Sequence, residues 1–436
     1  MNMDKNELMV KQIKEFEERT MFKLEVKDGK LYYKGTLCCT SDYLPDNLVV
    51  DGGLRCFEGS EKLPKDLKVK KWLDISATNI TEIPNDCEFD SLYMEDTKIT
   101  KLRDNLELDE LRAYNSSLRH LPKGLKVKGA LSISNTDIAE IPDDCEFGSL
   151  FSQDSKLTKL RDNLTLNYLN VRNSLLTELP KGLKVNGDLD ISYTDIMEIP
   201  DDCEFGSLYM CSTRITKLRD NLTLYDLWTD NSFLKDLPKN LVVFNMLKMT
   251  NKSITALPID CLANRIYSKF DINDKRYKKN IYDEYYLKNE IIHISHPSGR
   301  EFLHVDGILS EVIEKKGDVY CVHNGNNRSI TYIVTDGNNH WTRGNTLEEA
   351  KQALAFKLNK CDKSEYEKLN LDSELMFDEA VACYCVITGA CKFGVYDYFE
   401  HSLPTPHKEK YTIREMIELT KNGYGGKEFR EFFEKL

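Results

Sequence analysis

What this chain lacks narrows its chemistry before anything it contains is weighed. No run approaches the ~20 apolar residues of a membrane-crossing helix, so no membrane role is expected. The 60 basic and 72 acidic residues leave a net charge of −12, and neither part of the chain reverses it. Residues 1–261 hold 35 basic and 44 acidic side chains, and residues 262–436 hold 25 and 28. The basic excess of a nucleic-acid binder is therefore missing, and the acidity favours a protein partner with a basic surface. The opening MNMDKNELMVKQIKEFEERT has neither the basic start nor the apolar run of a secretory signal. No P-loop, dinucleotide fingerprint, HExxH or GxSxG stretch occurs. Neither cofactor nor metal is expected.

What the chain does have is a period. The residue before each Pro, or its equivalent, falls at Leu63, Ile83, Leu102, Leu121, Ile141, Leu160, Leu179, Ile199, Leu218, Leu237 and Leu257. The steps run 20, 19, 19 and then repeat, so three short units make one block of 58 residues. A fixed short period dictates a solenoid, in which each coil contacts its neighbours and the core grows lengthwise. Of 13 cysteines, Cys87, Cys145, Cys203 and Cys261 recur once per block. At roughly 4.8 Å per stacked strand they lie about 14 Å apart, beyond the ~7 Å limit for a disulfide. They share a slot with Leu67, Leu106 and Leu125, so they are expected to act as small core hydrophobes. A reducing, cytoplasmic setting follows.

Each coil follows one plan, as in LDISATNITEIP (residues 73–84). Leu73 and Ile75 point inward from a short strand, Asp74 points outward, Thr78 turns the chain, and Ile80 returns to the core. The turn position is Thr78, Thr97, Ser116, Thr136, Ser155, Ser174, Thr194, Thr213 or Ser232, a short hydroxyl that can satisfy backbone groups in the turn. Lys252 breaks this series and places the end of the array near residue 261. The pattern resembles the short bacterial leucine-rich repeats with an LPxxL signature, as in enterobacterial effector proteins. That resemblance covers residues 44–261 and implies an α/β solenoid with short parallel strands on a concave face. Two departures are systematic: every third marker reads Leu-Arg-Asp, and every third LPxxL leucine is Cys.

Residues 1–43 read as an N-terminal cap, a helix over 4–18 and a hairpin over 22–35 turning at Lys27-Asp28-Gly29. Residues 262–289 read as a C-terminal cap and connector. Residues 290–436 read as an α+β domain, a β-meander followed by helices. Its turn signals are Pro297-Ser298-Gly299, Lys316-Gly317-Asp318, Asn324-Gly325-Asn326 and Asp336-Gly337-Asn338. Capping boxes at Thr346/Glu349 and Thr412/Glu415 open helices; others are expected over 376–389, in a shorter stretch through Phe399, and in GGKEFREFFEKL at the end. TDGNNHWTRGNTLEEAK and YCVITGACKFG make this region similar to tails of uncharacterised repeat proteins from gut bacteria and their phages, with no implied activity. Some effectors with these repeats carry a ubiquitin-ligase domain with a C-x-D motif; here Cys361-Asp362 has no intervening residue.

For function, the residues between the inward pairs form the natural binding face. Tyr93, Phe151 and Tyr209 share one phase of the block and should align as platforms about 14 Å apart at the ~4.8 Å strand spacing. Tyr114, Tyr193 and Trp228 lie nearby with Glu95, Asp96, Asp154, Asp230, Arg112 and Arg172. Exposed aromatics among charges are the chemistry of interface hot spots. A plainer origin is that duplication copied the aromatics, which then pack on each other. Cys383, Cys385, Cys391 and His401 invite a zinc reading, but their spacing is uncommon and Cys383 and Cys385 diverge around a helix. Cys321 and His323 alternate along one strand and could form a nucleophile pair. The expected function is a non-catalytic, monomeric interaction module; the resemblance implies an adaptor or inhibitor encoded by a phage or a commensal bacterium. The alternative is an effector enzyme whose repeats recognise substrate while residues 290–436 act on it.

Overall fold

The computed structural model describes residues 5–250, 254, 257–269, 271–280, 284–288, 292–296, 299–324, 330–358, 363–390, 395–396, 398, 408–421, 423 and 425–434. Lys252, Asn326-Asn327, Cys361-Asp362, Cys391 and His401 lie outside these residues, as does much of the short helix expected through Phe399. The chain forms two compact units. Met1–Asp220, Asp226–Pro238 and Lys248–Leu257 make the first, and Asn221–Tyr225, Lys239–Leu247 and Pro258–Leu436 the second.

The first unit begins with the helix Lys5–Thr20 and its buried Phe16. Strands Glu25–Lys27 and Lys30–Tyr33 form the expected hairpin. Asp28 and Gly29 both take positive φ, 51° and 70°, as a two-residue hairpin turn requires. Beyond it the chain is a solenoid of stacked coils. An unbroken parallel ladder runs through eleven strands from Leu37–Cys39 to Thr223–Trp228. Its inward column is leucine at every step: 37, 54, 73, 92, 111, 131, 150, 169, 189, 208 and 227, each fully buried. Each such burial stabilises the fold by about 1.5–3 kcal/mol relative to exposure.

The coils depart from the expected α/β pattern. Between residues 21 and 250 the sole helical element is the single 3-10 turn Ser41–Tyr43. The return segments instead carry a second series of short parallel pairings, such as Val127 with Leu108 and Phe147, and Val185 with Leu166 and Phe205. A coil of 19 or 20 residues that spends its length on two strands and two tight turns has none left for a helical turn. The unit is a β-solenoid.

The turn hydroxyls behave as the sequence requires. Thr78, Thr97, Ser116, Thr136, Ser155, Thr194 and Thr213 each donate to the carbonyl three residues back, at 2.6–2.9 Å. Each follows a residue at positive φ: Ala77, Asp96, Asn115, Asn135, Asp154, Tyr193 and Ser212. Asn and Asp suit this left-handed conformation because their short polar side chains bond locally.

In the second unit, Leu262–Ser268, Glu284–Leu287 and Tyr277–Lys279 pair antiparallel. Six strands from His293–Ser295 to Trp341–Gly344 then form an antiparallel meander in sequence order. Gly317 and Gly337 take positive φ in two of the expected turns, while residues 297–298 and 325–329 of the other two lie outside the described residues. Helices Leu347–Lys357, Phe377–Thr388, Ile413–Thr420 and Gly426–Glu434 follow. Both expected capping boxes are present. Cys383 and Cys385 are buried in the core around Tyr384, Met416, Phe429 and Phe433. Among the described residues no cluster of metal-ligating side chains occurs.

Candidate interaction surface

The outward residues of the long ladder fall in one register row. Asp74, Tyr93, Arg112, Ser132, Phe151, Asn170, Asp190, Tyr209 and Trp228 pair strand by strand. Tyr93, Phe151 and Tyr209 therefore stand three strands apart, at the same phase of the block. A neighbouring row two residues on carries Glu95, Tyr114, Arg172 and Asp230, and the turn edge carries Asp96, Asp154 and Tyr193.

The aromatics of the central row are half-buried, where exposed rings were expected. Tyr93 stacks on Trp72, with ring centroids 6.2 Å apart and planes at 21°, and the Arg112 guanidinium lies 4.6 Å from the centre of the Tyr93 ring. Tyr209 meets Trp228 edge-on at 5.1 Å and 84°, and Lys248 lies 4.6 Å over the Trp228 ring. Rings projecting from strands ~4.8 Å apart are within reach of one another across a single step, so part of each surface is spent on its neighbours. Phe151 has no such ring contact among the described residues, but Tyr168, 17 positions on, is 47% exposed.

The carboxylates are also engaged. Tyr93 Oη donates to Glu110 Oε2 at 3.2 Å, and Tyr209 Oη to Asp226 Oδ2 at 3.3 Å. The offset of 17 residues is the same, so Glu110 and Asp226 are functional candidates that the sequence reading passed over. Comparing what stands 17 positions after each aromatic would have found them. Burial, with the facing carboxylate adding to it, raises the pKa of both phenols, so they stay protonated as donors. Arg112 Nε donates to Glu110 Oε1 at 2.9 Å, which raises the Arg112 pKa further. Asp74, only 6% exposed, accepts from Arg55 Nε at 2.7 Å. Glu95 is buried and accepts from Ser76 Oγ. Lys248 Nζ lies 2.9 Å from Asp230. Arg172 stands 4.3 Å over the Tyr193 ring, and both Tyr114 and Tyr193 are exposed.

In the second unit, Cys321 and His323 share a face of the strand Val319–His323. No hydrogen bond joins them; His323 Nε2 lies 3.5 Å from Glu311 Oε2, with Arg300 Nη1 3.6 Å from the same oxygen. Burial pushes the Cys383 thiol up to about 12, which leaves it a core group.

The class that fold and surface define is a β-solenoid with an aromatic row on its long parallel sheet. No family model matches the chain, and no curated protein or solved structure matches it. No helix among the described residues is long and apolar enough to cross a membrane.

Proposed function

We propose that this chain is a non-catalytic interaction protein of the leucine-rich-repeat kind, an adaptor or inhibitor that holds a protein partner on the outward row of its long sheet. One observation carries this: aromatic rings recur every third strand in a single register row, and two of the three, Tyr93 and Tyr209, are held by a neighbouring ring and a carboxylate. Rings fixed before binding lose little conformational entropy when a partner covers them, and aromatic and arginine side chains dominate interface energetics. Tyr93, Tyr209 and Trp228 supply the fixed rings. Phe151, Tyr168, Tyr114 and Tyr193 supply the more open apolar area, and Arg112, Arg172, Asp96, Asp154, Glu95 and Asp230 the polar surround. The net acidity favours a partner with a basic surface. On this reading the second unit adds a separate contact.

The test is capture of a partner by the full chain, wild type against Tyr93→Ala, Phe151→Ala, Tyr209→Ala and Trp228→Ala. At least one is expected to lower affinity about 30-fold, the effect of removing a ~2 kcal/mol hot spot. Undiminished capture by all four variants, each folded, sinks the proposal. The enzyme reading would be favoured instead if Cys321→Ala abolished a measurable turnover while capture persisted.

A further inference from the structure

Where each outward strand turns, the positive-φ residues of successive coils make a column that includes Asp96, Asn115, Asn135, Asp154 and Asn173. Their side chains pass hydrogen bonds in one direction. Asn115 Nδ2 donates to the Asp96 carboxylate, Asn135 Nδ2 to Asn115 Oδ1 at 2.7 Å, and Asn173 Nδ2 to Asp154 Oδ1 at 2.6 Å. Asp96 can only accept, so it fixes the orientation of Asn115, and Asn115 in turn fixes that of Asn135. The chain then fails between Asn135 and Asp154. Asn135 has turned its nitrogen away, and a carboxylate has no hydrogen to offer. Two acceptors stand on adjacent coils, and among the described residues no hydrogen bond links their side chains.

At this gap the turn edge is hollowed into a groove of about 470 Å³ that reaches from Ser117 to Leu175 across four coils. Its charges balance in number: Lys156 pairs with Asp137 at 2.6 Å, and Arg119 and Asp154 contribute one charge of each sign to the same lining. A ligand of either net charge would lose at one pair what it gained at another. The mainly polar lining disfavours a wholly apolar compound, whose pockets are mostly hydrophobic. One wall is nonetheless apolar, because Leu175 is 59% exposed. Beyond the end of the groove, Tyr193 follows Asn173 in the same column, one coil further on, with Arg172 over one part of its ring and 47% of its surface open.

We propose that this groove binds a neutral oligosaccharide lying along the stacking axis. Sugar hydroxyls donate to the facing acceptors of Asn135 and Asp154 and accept from the second amide hydrogen of Asn173. The C–H faces of the sugar rings rest on Leu175 and Tyr193. The coil spacing of ~4.8 Å is close to the length of one pyranose, so consecutive rings meet consecutive coils. This site lies on the turn edge and shares Asp154 and Tyr193 with the surround of the proposed partner face, but it uses none of the central row Tyr93–Phe151–Tyr209.

Calorimetric titration of the full chain with three neutral hexasaccharides (of β-linked glucose, α-linked glucose and β-linked N-acetylglucosamine) tests it. Binding of at least one is expected, with little change as salt rises, because no net charge is neutralised. The double variant Asn135→Gly, Asn173→Gly removes the amides while keeping a residue at ease with positive φ. It should weaken binding about 10-fold or more, the loss of two hydrogen bonds of ~1 kcal/mol each. Leu175→Glu should do likewise, and Val26→Ala, an exposed position of the N-terminal hairpin, should leave binding unchanged. Failure of all three sugars to bind overturns the proposal. So does binding that ignores both groove variants, or a preference for a carboxylated sugar that fades with salt.

Discussion

Arg103 Nη1 donates to the backbone carbonyl of Cys87, one coil earlier, at 2.7 Å. The same contact recurs where Arg219 caps the carbonyls of Cys203 and Asp201, and Arg161 reaches that of Asp143 at 3.0 Å. In the first and third blocks the arginine of the Leu-Arg-Asp marker thus bonds the backbone carbonyl of the Cys slot, and in the second it bonds the carbonyl two residues earlier. The remaining joints are equally specific. The Asp of Leu-Arg-Asp accepts from the next coil, as Asp104 does from Lys123 N at 3.1 Å, and Asp144 accepts from Gly124 N at 2.9 Å. Three coil types, each fitted to the next, make the block of 58 residues the unit of duplication.

Removing the cap leaves a partly buried carbonyl without its partner. Arg103→Ala should lower unfolding free energy by about 1–3 kcal/mol, with Arg103→Lys recovering only part. Arg161→Ala, whose contact with the Asp143 carbonyl is exposed, should cost about 1 kcal/mol or less. Equilibrium urea melts decide the order; equal losses at both positions would refute it.

The recurrent cysteines fill the core as expected, but they also donate. Cys87, Cys145 and Cys203 Sγ lie 3.8, 3.6 and 3.6 Å from the carbonyls of Pro64, Pro122 and Pro180. Burial pushes the thiols up to about 12, 11 and 11. Because the folded-state values are raised, their contribution to stability is intact below pH ~8.5, the ordinary thiol value. It is lost as pH rises toward 11–12, where the unfolded chain ionises first. The melting temperature should therefore fall across that window, and less steeply in Cys145→Ala. A flat profile would be incompatible with these shifts. Thiol reagents at neutral pH should modify these positions only after unfolding.

Ala77 occupies the left-handed position at φ 55° that Asn or Asp fills in many other coils. An alanine there costs about 1–2 kcal/mol, partly offset in any glycine variant by greater unfolded-state entropy. Ala77→Gly should stabilise the chain by about 0.5–1 kcal/mol, whereas Asn173→Val should destabilise it by about 2 kcal/mol. Thermal melts showing the opposite sign at Ala77 would count against the turn geometry.

In the second unit, a Cβ added to Gly426 would stand 2.0 Å from the Thr420 carbonyl oxygen. Gly426→Ala must push the helix Gly426–Glu434 off the preceding one, displacing Phe429 and Phe433 from the core. A loss of about 3 kcal/mol is expected, read as a lower melting temperature of that unit. Retention of wild-type stability would mean that the two helices are not packed as described.

The sequence by itself determined whatever lies within one coil. The period, the inward leucines and the turn hydroxyls are set by residues a few positions apart, so local spacing suffices to read them. The same is true of the hairpin at Asp28-Gly29 and the capping boxes at Thr346 and Thr412. Tertiary structure decided whatever joins one coil to the next. Stacking brings Arg103 to Cys87, Tyr93 to Trp72 and Glu110, and Asn135 to Asn115, pairs separated by 16 to 21 positions. It also covers Asp74 and Glu95 and replaces the expected helical returns with strands. Those contacts depend on the register between coils, which is fixed when the leucine column closes and every side chain on the row acquires its neighbours at once.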